Sequence, residues 1–157
     1  MKNWVKLVLC IIAVEIIGVL GGFFTAGSIV NWYAGLAKPS FNPPNWIFGP
    51  VWTILYLMTG ISLYLFLTGK GKSKNKIDGF WIFGVQLMLN FLWSIVFFSM
   101  HQILGALIVI ALLWISIVLN IVTFYRVSKS SAYLLIPYLF WVSFASVLNF
   151  AIWMLNK

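Results

Sequence analysis

Charge is what this sequence has least of. Only 8% of its 157 residues are Asp, Glu, Lys or Arg, while 63% are hydrophobic. A soluble domain carries about 25% charged residues because its surface faces water. So little charge excludes a water-facing globule and calls for another solvent. Acids are scarcer still, with Glu15 and Asp78 the two in the chain, and His101 and Cys10 are the single histidine and cysteine. A lone cysteine excludes an intramolecular disulfide. A lone histidine, placed between two apolar runs, leaves zinc and axial haem ligation without ligands. It also excludes a Ser/His/Asp or Cys/His triad in the core, and no glycine-rich phosphate loop is present. The net charge of +8 has no soluble domain to present it, which argues against nucleic-acid binding.

What is present is apolar text in long runs. Five segments, about 5–26, 47–69, 79–100, 103–126 and 131–155, reach the roughly 20 residues that a helix needs to cross a bilayer. Barrel strands would alternate apolar and polar residues; these runs are apolar on every face, so the fold class is an all-α membrane bundle of five spans. The whole chain, 1–157, reads as one domain. The three-residue break Met100-His101-Gln102 requires a tight antiparallel hairpin. The first run is too long for a secretory signal and lacks a small-x-small cleavage site, so it reads as a retained span. With five spans, Lys2, Lys6, Lys70, Lys72, Lys74, Lys76, Arg126 and Lys129 share one side, against Lys38 and Lys157 on the other. That asymmetry predicts a cytoplasmic N-terminus and an external C-terminus, and it favours anionic lipid headgroups on the lysine side.

Between the first two spans the chain reads Trp32-Tyr33-Ala34-Gly35-Leu36-Ala37-Lys38-Pro39-Ser40-Phe41-Asn42-Pro43-Pro44-Asn45-Trp46, continuing as Ile47-Phe48-Gly49-Pro50-Val51-Trp52-Thr53-Ile54-Leu55-Tyr56. A connection of about twenty residues is long for a compact domain, and such loops are lids or linkers. Its prolines stiffen the backbone and its aromatics favour an interface, so an ordered cap over the outer side is expected.

This string resembles the signature of the tryptophan-rich sensory protein/translocator protein family (the TspO or peripheral benzodiazepine receptor group). Two further blocks are similar to family motifs: Leu89-Asn90-Phe91-Leu92-Trp93-Ser94-Ile95-Val96-Phe97-Phe98 in the third span, and Leu135-Ile136-Pro137-Tyr138-Leu139-Phe140-Trp141-Val142-Ser143-Phe144-Ala145-Ser146-Val147-Leu148-Asn149 in the fifth. The resemblance implies a five-helix bundle, often a homodimer, in a bacterial cell membrane. It further implies protoporphyrin IX or haem as ligand, with no obligatory cofactor. The stretch after Asn149 reads Phe150-Ala151-Ile152-Trp153-Met154, without the Tyr and Arg of the animal sterol-recognition segment, so sterol binding is not carried over.

Helical projection at 100° per residue puts Tyr138, Trp141, Ala145 and Asn149 on one face of the fifth span. Gln86, Asn90, Trp93 and Phe97 share a face of the third, and Trp52, Tyr56 and Thr59 a face of the second. At about 1.5 Å per residue, Trp52, Trp93 and Asn149 each lie roughly 8–10 Å below the outer end of their helices. Together with Trp46, the candidate ligand residues are therefore Trp46, Trp52, Tyr56, Asn90, Trp93, Phe97, Tyr138, Trp141, Ala145 and Asn149. Tryptophans would stack on a planar ring, the two asparagines would bond its substituents, and Ala145 would leave room. Spacing alone equally fits interhelical glue and space filling; the resemblance favours a pocket. Trp4, Trp81 and Trp153 fit an interfacial belt.

Glu15 is the one acid within a span. An intramembrane carboxyl is a functional candidate by position, but because no cation is placed to pair with it the favoured reading is a protonated, hydrogen-bonded structural group, with a proton-coupled role as the alternative. The Gly18-x-x-x-Gly22 pattern on the same face is a close-packing signal and motivates a dimer contact through the first helix. Three functions stay open: a porphyrin-binding receptor, sensor or carrier; light-dependent porphyrin degradation through Trp52, Trp93 or Trp141, as reported for related bacterial proteins; and a structural assembly partner. Topology gives the first test. A reporter inserted at residues 72–74 is expected to read cytoplasmic and one fused after Lys157 external, and a cytoplasmic C-terminal reporter would refute the orientation.

Overall fold

A chain in hydrocarbon must satisfy its backbone from within, and helices do this segment by segment. The computed structural model describes residues 2–157 and is helical along nearly all of them. In chain order the helices are α1 (Asn3–Asn31), α2 (Asn45–Thr68), α3 (Ser73–Ser94), α4 (Ile103–Tyr125), α5 (Lys129–Leu134) and α6 (Ile136–Leu155). They make five spans, because α5 and α6 together form the last, Lys129–Leu155. Large side chains such as Phe23, Trp46, Trp81 and Phe140 are more than 70% exposed, which suits lipid and not water. Hydroxyls are satisfied locally: Thr25, Thr53, Thr123, Ser143 and Ser146 each donate to the carbonyl four residues back.

The helices outrun the apolar segments expected from sequence. α1 continues to Asn31, five residues beyond the expected end, and α3 begins at Ser73, six residues early. Hydropathy marks the part of a helix that lies in lipid, whereas its hydrogen bonds continue until a breaker stops them. Ser28 holds the extended end of α1 by donating to the Phe98 carbonyl at 2.6 Å. At the start of α3, Lys76 reaches the Leu67 carbonyl at 3.0 Å. The connection between α1 and α2 is accordingly shorter than expected, residues 32–44, with a 3-10 turn at Tyr33–Gly35.

The last span is also broken where one straight helix was expected. Pro137 has no N–H for the carbonyl four residues earlier and its ring crowds that turn, so α5 ends and α6 starts anew around Leu135. The hairpin at residues 100–102 is as tight as expected. α3 runs into a π-helical turn, Ile95–Ser99, and Met100 N–H donates to the Ile95 carbonyl at 2.9 Å. His101 reverses the chain with φ of 56°, a left-handed conformation that few non-glycine residues adopt. Its ring stacks on Trp32 at 4.3 Å.

Packing differs between the two ends. At the lysine end the bundle is shut: Phe66 and Phe124 stack at 3.9 Å with Phe83 beside them, and Ser62 and Ser131 exchange hydrogen bonds with each other's carbonyls at 2.7 and 2.6 Å. The α1 and α2 backbones come together at Gly60, where a Cβ would lie 2.7 Å from Ile11 Cα. Gly18 is the upper limit of that contact, since its Cβ would meet the Tyr56 ring at 2.4 Å. The Gly18 position is thus used for close packing inside the bundle, whereas Gly22 of the same pattern is exposed.

Gly60→Val should therefore force α1 and α2 apart and cost about 1–3 kcal/mol. Gly84→Ala, with nothing within 4 Å of the new methyl, should be neutral or gain up to about 1 kcal/mol in helix propensity. Thermal unfolding of both variants in one detergent, followed by circular dichroism, checks the contrast.

Candidate functional site

Above the Gly18–Tyr56 contact the helices no longer fill the space between them. A cavity of about 470 Å³ opens there, walled by α1, α2, α3 with its π-helical turn, and α6, with Tyr33 from the connecting segment. Its size lies within the range usual for small-molecule sites. Trp46, Trp52, Tyr56, Trp93, Phe97, Trp141, Ala145 and Asn149, candidates from sequence, all line it. Three facing aromatic walls result: Trp52 lies 5.5 Å from Tyr56, Trp93 lies 5.4 Å from Phe97, and Trp141 lies 6.0 Å from Phe48. Trp52 and Trp93 approach at 6.5 Å, joining α2 to α3 across the cavity.

Asn90 and Tyr138 do not line the cavity; they form its support. The Tyr56 hydroxyl donates to Asn90 Oδ1, and Asn90 Nδ2 donates to the Tyr138 hydroxyl at 2.7 Å, all three residues being buried. Asn149 lines the wall but is likewise committed: its Oδ1 accepts from Trp93 Nε1 at 3.1 Å and its Nδ2 donates to the Ile103 carbonyl at 3.0 Å. The expectation that both asparagines offer free groups to a ligand is therefore corrected. A buried amide is held in place by partners because leaving it unpaired is costly, and here those partners are cavity aromatics. Gln86, on the inward face of α3, pairs instead with Asn120 at 2.6 Å. Trp141 Nε1 is the buried indole N–H that has no partner among the described residues.

Sequence reasoning singled out Glu15 and the glycines of its face but did not place α1 on the site. Glu15, Gly18, Val19, Gly22, Thr25, Ala26 and Ile29 line the cavity from α1. The signal was the stripe of small residues at helical spacing, which was read as a contact with another copy. Gly22 and Gly49 have nothing within 4 Å of a built Cβ, and the lining residues Val19 and Trp46 are 70% and 74% exposed. The cavity thus has a slot between α1 and α2 that faces the bilayer.

The connecting segment closes one end. Ala37 N–H donates to Asn156 Oδ1 at 3.0 Å and its carbonyl accepts from Asn156 Nδ2 at 2.9 Å, pinning the segment to the end of α6. Tyr33 donates to Asn42 Oδ1 at 2.7 Å and packs on Phe97 and Phe98. Burial pushes its phenol up to about 12 against a smaller opposing pull from the Asn42 bond, so it stays a protonated donor at neutral pH.

A five-span α-helical membrane protein with an aromatic cavity capped by a proline-rich segment is the class these features define. The profile of the TspO/MBR family matches residues 10–154, and the chain belongs to that family. It is 50% identical over 154 residues to the Tryptophan-rich protein TspO of Archaeoglobus fulgidus, covering 98% of this chain and 99% of that one. To the protein of the same name from Chlorobaculum tepidum it is 49% identical over 156 residues, covering 99% and 98%. Human Translocator protein is 38% identical over 135 residues, covering 85% of this chain and 80% of its own.

The Tyr56–Asn90–Tyr138 chain makes a stability prediction. Asn90→Leu leaves two buried phenols without their partner and should cost about 2–4 kcal/mol. Replacing both tyrosines by Phe in the same background should recover part of that loss, because no polar group then remains unpaired. Melting curves of the single and triple variants measure it; a triple variant less stable than Asn90→Leu would refute the chain as the cause.

Proposed function

We propose that the cavity binds flat, lipophilic ring systems, porphyrins among them, and that the protein acts as a membrane receptor, sensor or carrier for such molecules, with the lysine end in the cytoplasm. The observation that carries this reading is the cavity of about 470 Å³ faced by Trp52, Trp93 and Trp141. Planar aromatic walls favour a planar guest, and stacking of a base on an aromatic side chain is worth about 1–3 kcal/mol. The wall is mostly aromatic and aliphatic, which favours lipophilic guests. Family membership supports a sensing or binding role.

A second reading has an observation of its own. Trp52 and Trp93 are 6.5 Å apart and Trp52 is 5.5 Å from Tyr56, so oxidisable rings form a connected wall around any bound porphyrin. Product analysis after illumination in oxygen separates binding from degradation: recovered porphyrin favours the first, consumed porphyrin the second.

The direct test is protoporphyrin IX titration against tryptophan fluorescence. Ala145 is buried on α6, on the cavity wall one turn from both Trp141 and Asn149. Ala145→Phe should abolish quenching by filling the space a ring would take. Overpacking alone costs about 1–3 kcal/mol of stability, so each titration is paired with a melting curve. A folded Ala145→Phe protein that binds as tightly as the parent would place the ligand elsewhere.

A further inference from the structure

Glu15 is the charged side chain of the cavity wall, at the deep end of the α1 stripe and one turn from Gly18. No hydrogen bond or ion pair engages its carboxyl among the described residues. The nearest cation along α1 is Lys6, about 13 Å away at 1.5 Å per residue. Among the wall's polar groups, the Tyr56 hydroxyl is bonded to Asn90, Asn149 to Trp93 and the Ile103 carbonyl, and the Thr25 hydroxyl to its own helix, while the Trp141 indole N–H on α6 has no partner either. An acceptor without a donor is thus left within a membrane span, part-buried on the wall of the cavity. Intramembrane carboxyls in such positions find a partner or mark a pathway or counter-ion site, and this one faces a space sized for a guest.

We infer that Glu15 sets the polarity of the ligand: the deep end of the cavity takes a cationic or N–H-donating nitrogen of an otherwise apolar, flat molecule, and disfavours a carboxylate. The inference rests on the cavity being a ligand site, as proposed above. It also fixes orientation. A porphyrin bearing carboxylates on one edge enters with that edge toward the cap and its ring nitrogens or apolar edge toward Glu15.

Matched planar probes separate charge from shape. Pyrenemethylammonium, pyrenemethanol and pyrenecarboxylate are titrated into the full-length protein in zwitterionic lipid nanodiscs, and binding is read by energy transfer from tryptophan after subtraction of protein-free discs. The parent should hold the ammonium at least about tenfold more tightly than the alcohol, the scale of one hydrogen bond to a charged group, with the carboxylate weakest. Glu15→Gln keeps size and removes charge, and should bring the ammonium-to-alcohol ratio to about one. A ratio near one in the parent, or one unchanged by Glu15→Gln, overturns the inference. The carboxylate ordering tests it in the parent without any substitution, so a poorly folding variant does not shelter it. Binding of all three probes with equal affinity removes the role of Glu15 and leaves the cavity standing. Failure of every probe to bind, or equal binding to Ala145→Phe, overturns the cavity reading itself.

Discussion

Hydrocarbon offers no hydrogen bonds, and most of this structure is a response to that fact. Main-chain groups are satisfied by running five spans as helices, and side-chain hydroxyls by folding back onto their own helix. Where polar groups do cross between helices they are used in pairs and chains. Ser62 with Ser131 joins α2 to α5, Gln86 with Asn120 joins α3 to α4, and the Tyr56–Asn90–Tyr138 chain joins α2, α3 and α6. Each link is specific in a way that apolar contact in lipid is not, since lipid tails compete equally well for an apolar face. Register between the helices is therefore set by a handful of amides, phenols and hydroxyls.

Those links also decide where the bundle is open. Below the level of Gly18, glycines let helices approach: Gly60 admits Ile11, and Gly79 would place a Cβ 2.6 Å from the Phe66 ring. Above it, Gly22 and Gly49 meet nothing, and large rings line the space without filling it. The same residue type closes one half and leaves the other vacant because its neighbours differ. Tyr56 stands at the boundary, its ring against Gly18 and its hydroxyl tied downward to Asn90. It is the floor of the cavity and the roof of the packed half.

The five spans, the short hairpin at His101 and the ring-bearing faces of α2, α3 and α6 were legible in the sequence, because each rests on a periodicity or on a breaker that operates locally. Helix ends were less so: hydropathy stops at the lipid boundary, whereas α1 and α3 continue into the interface on hydrogen bonds made to residues far away in the chain, such as Ser28 to Phe98. The break at Leu135 was readable from Pro137 and was lost in an otherwise continuous apolar run. At the site, projection put Asn90 and Asn149 on inward faces, where both are buried, but whether an amide is free or occupied depends on partners from other helices. Projection could not supply those. The role of α1 was hidden for a related reason, since a small-residue stripe marks either close approach or vacancy, and Gly18 and Gly22 turn out to be one of each.

The slot between α1 and α2 changes what concentration means for this protein. A guest that passes by Val19 and Trp46 comes out of the acyl chains, so its partition into the membrane precedes its binding. Occupancy then follows the mole fraction of guest in the lipid rather than its molarity in water, and adding vesicles at fixed guest would dilute it. The acyl chains themselves are rivals for the same space, always present and in vast excess. On the proposed reading, a sparingly soluble guest would in this way fill the cavity at aqueous levels too low to measure, while a water-soluble relative of equal shape would leave it to the lipid.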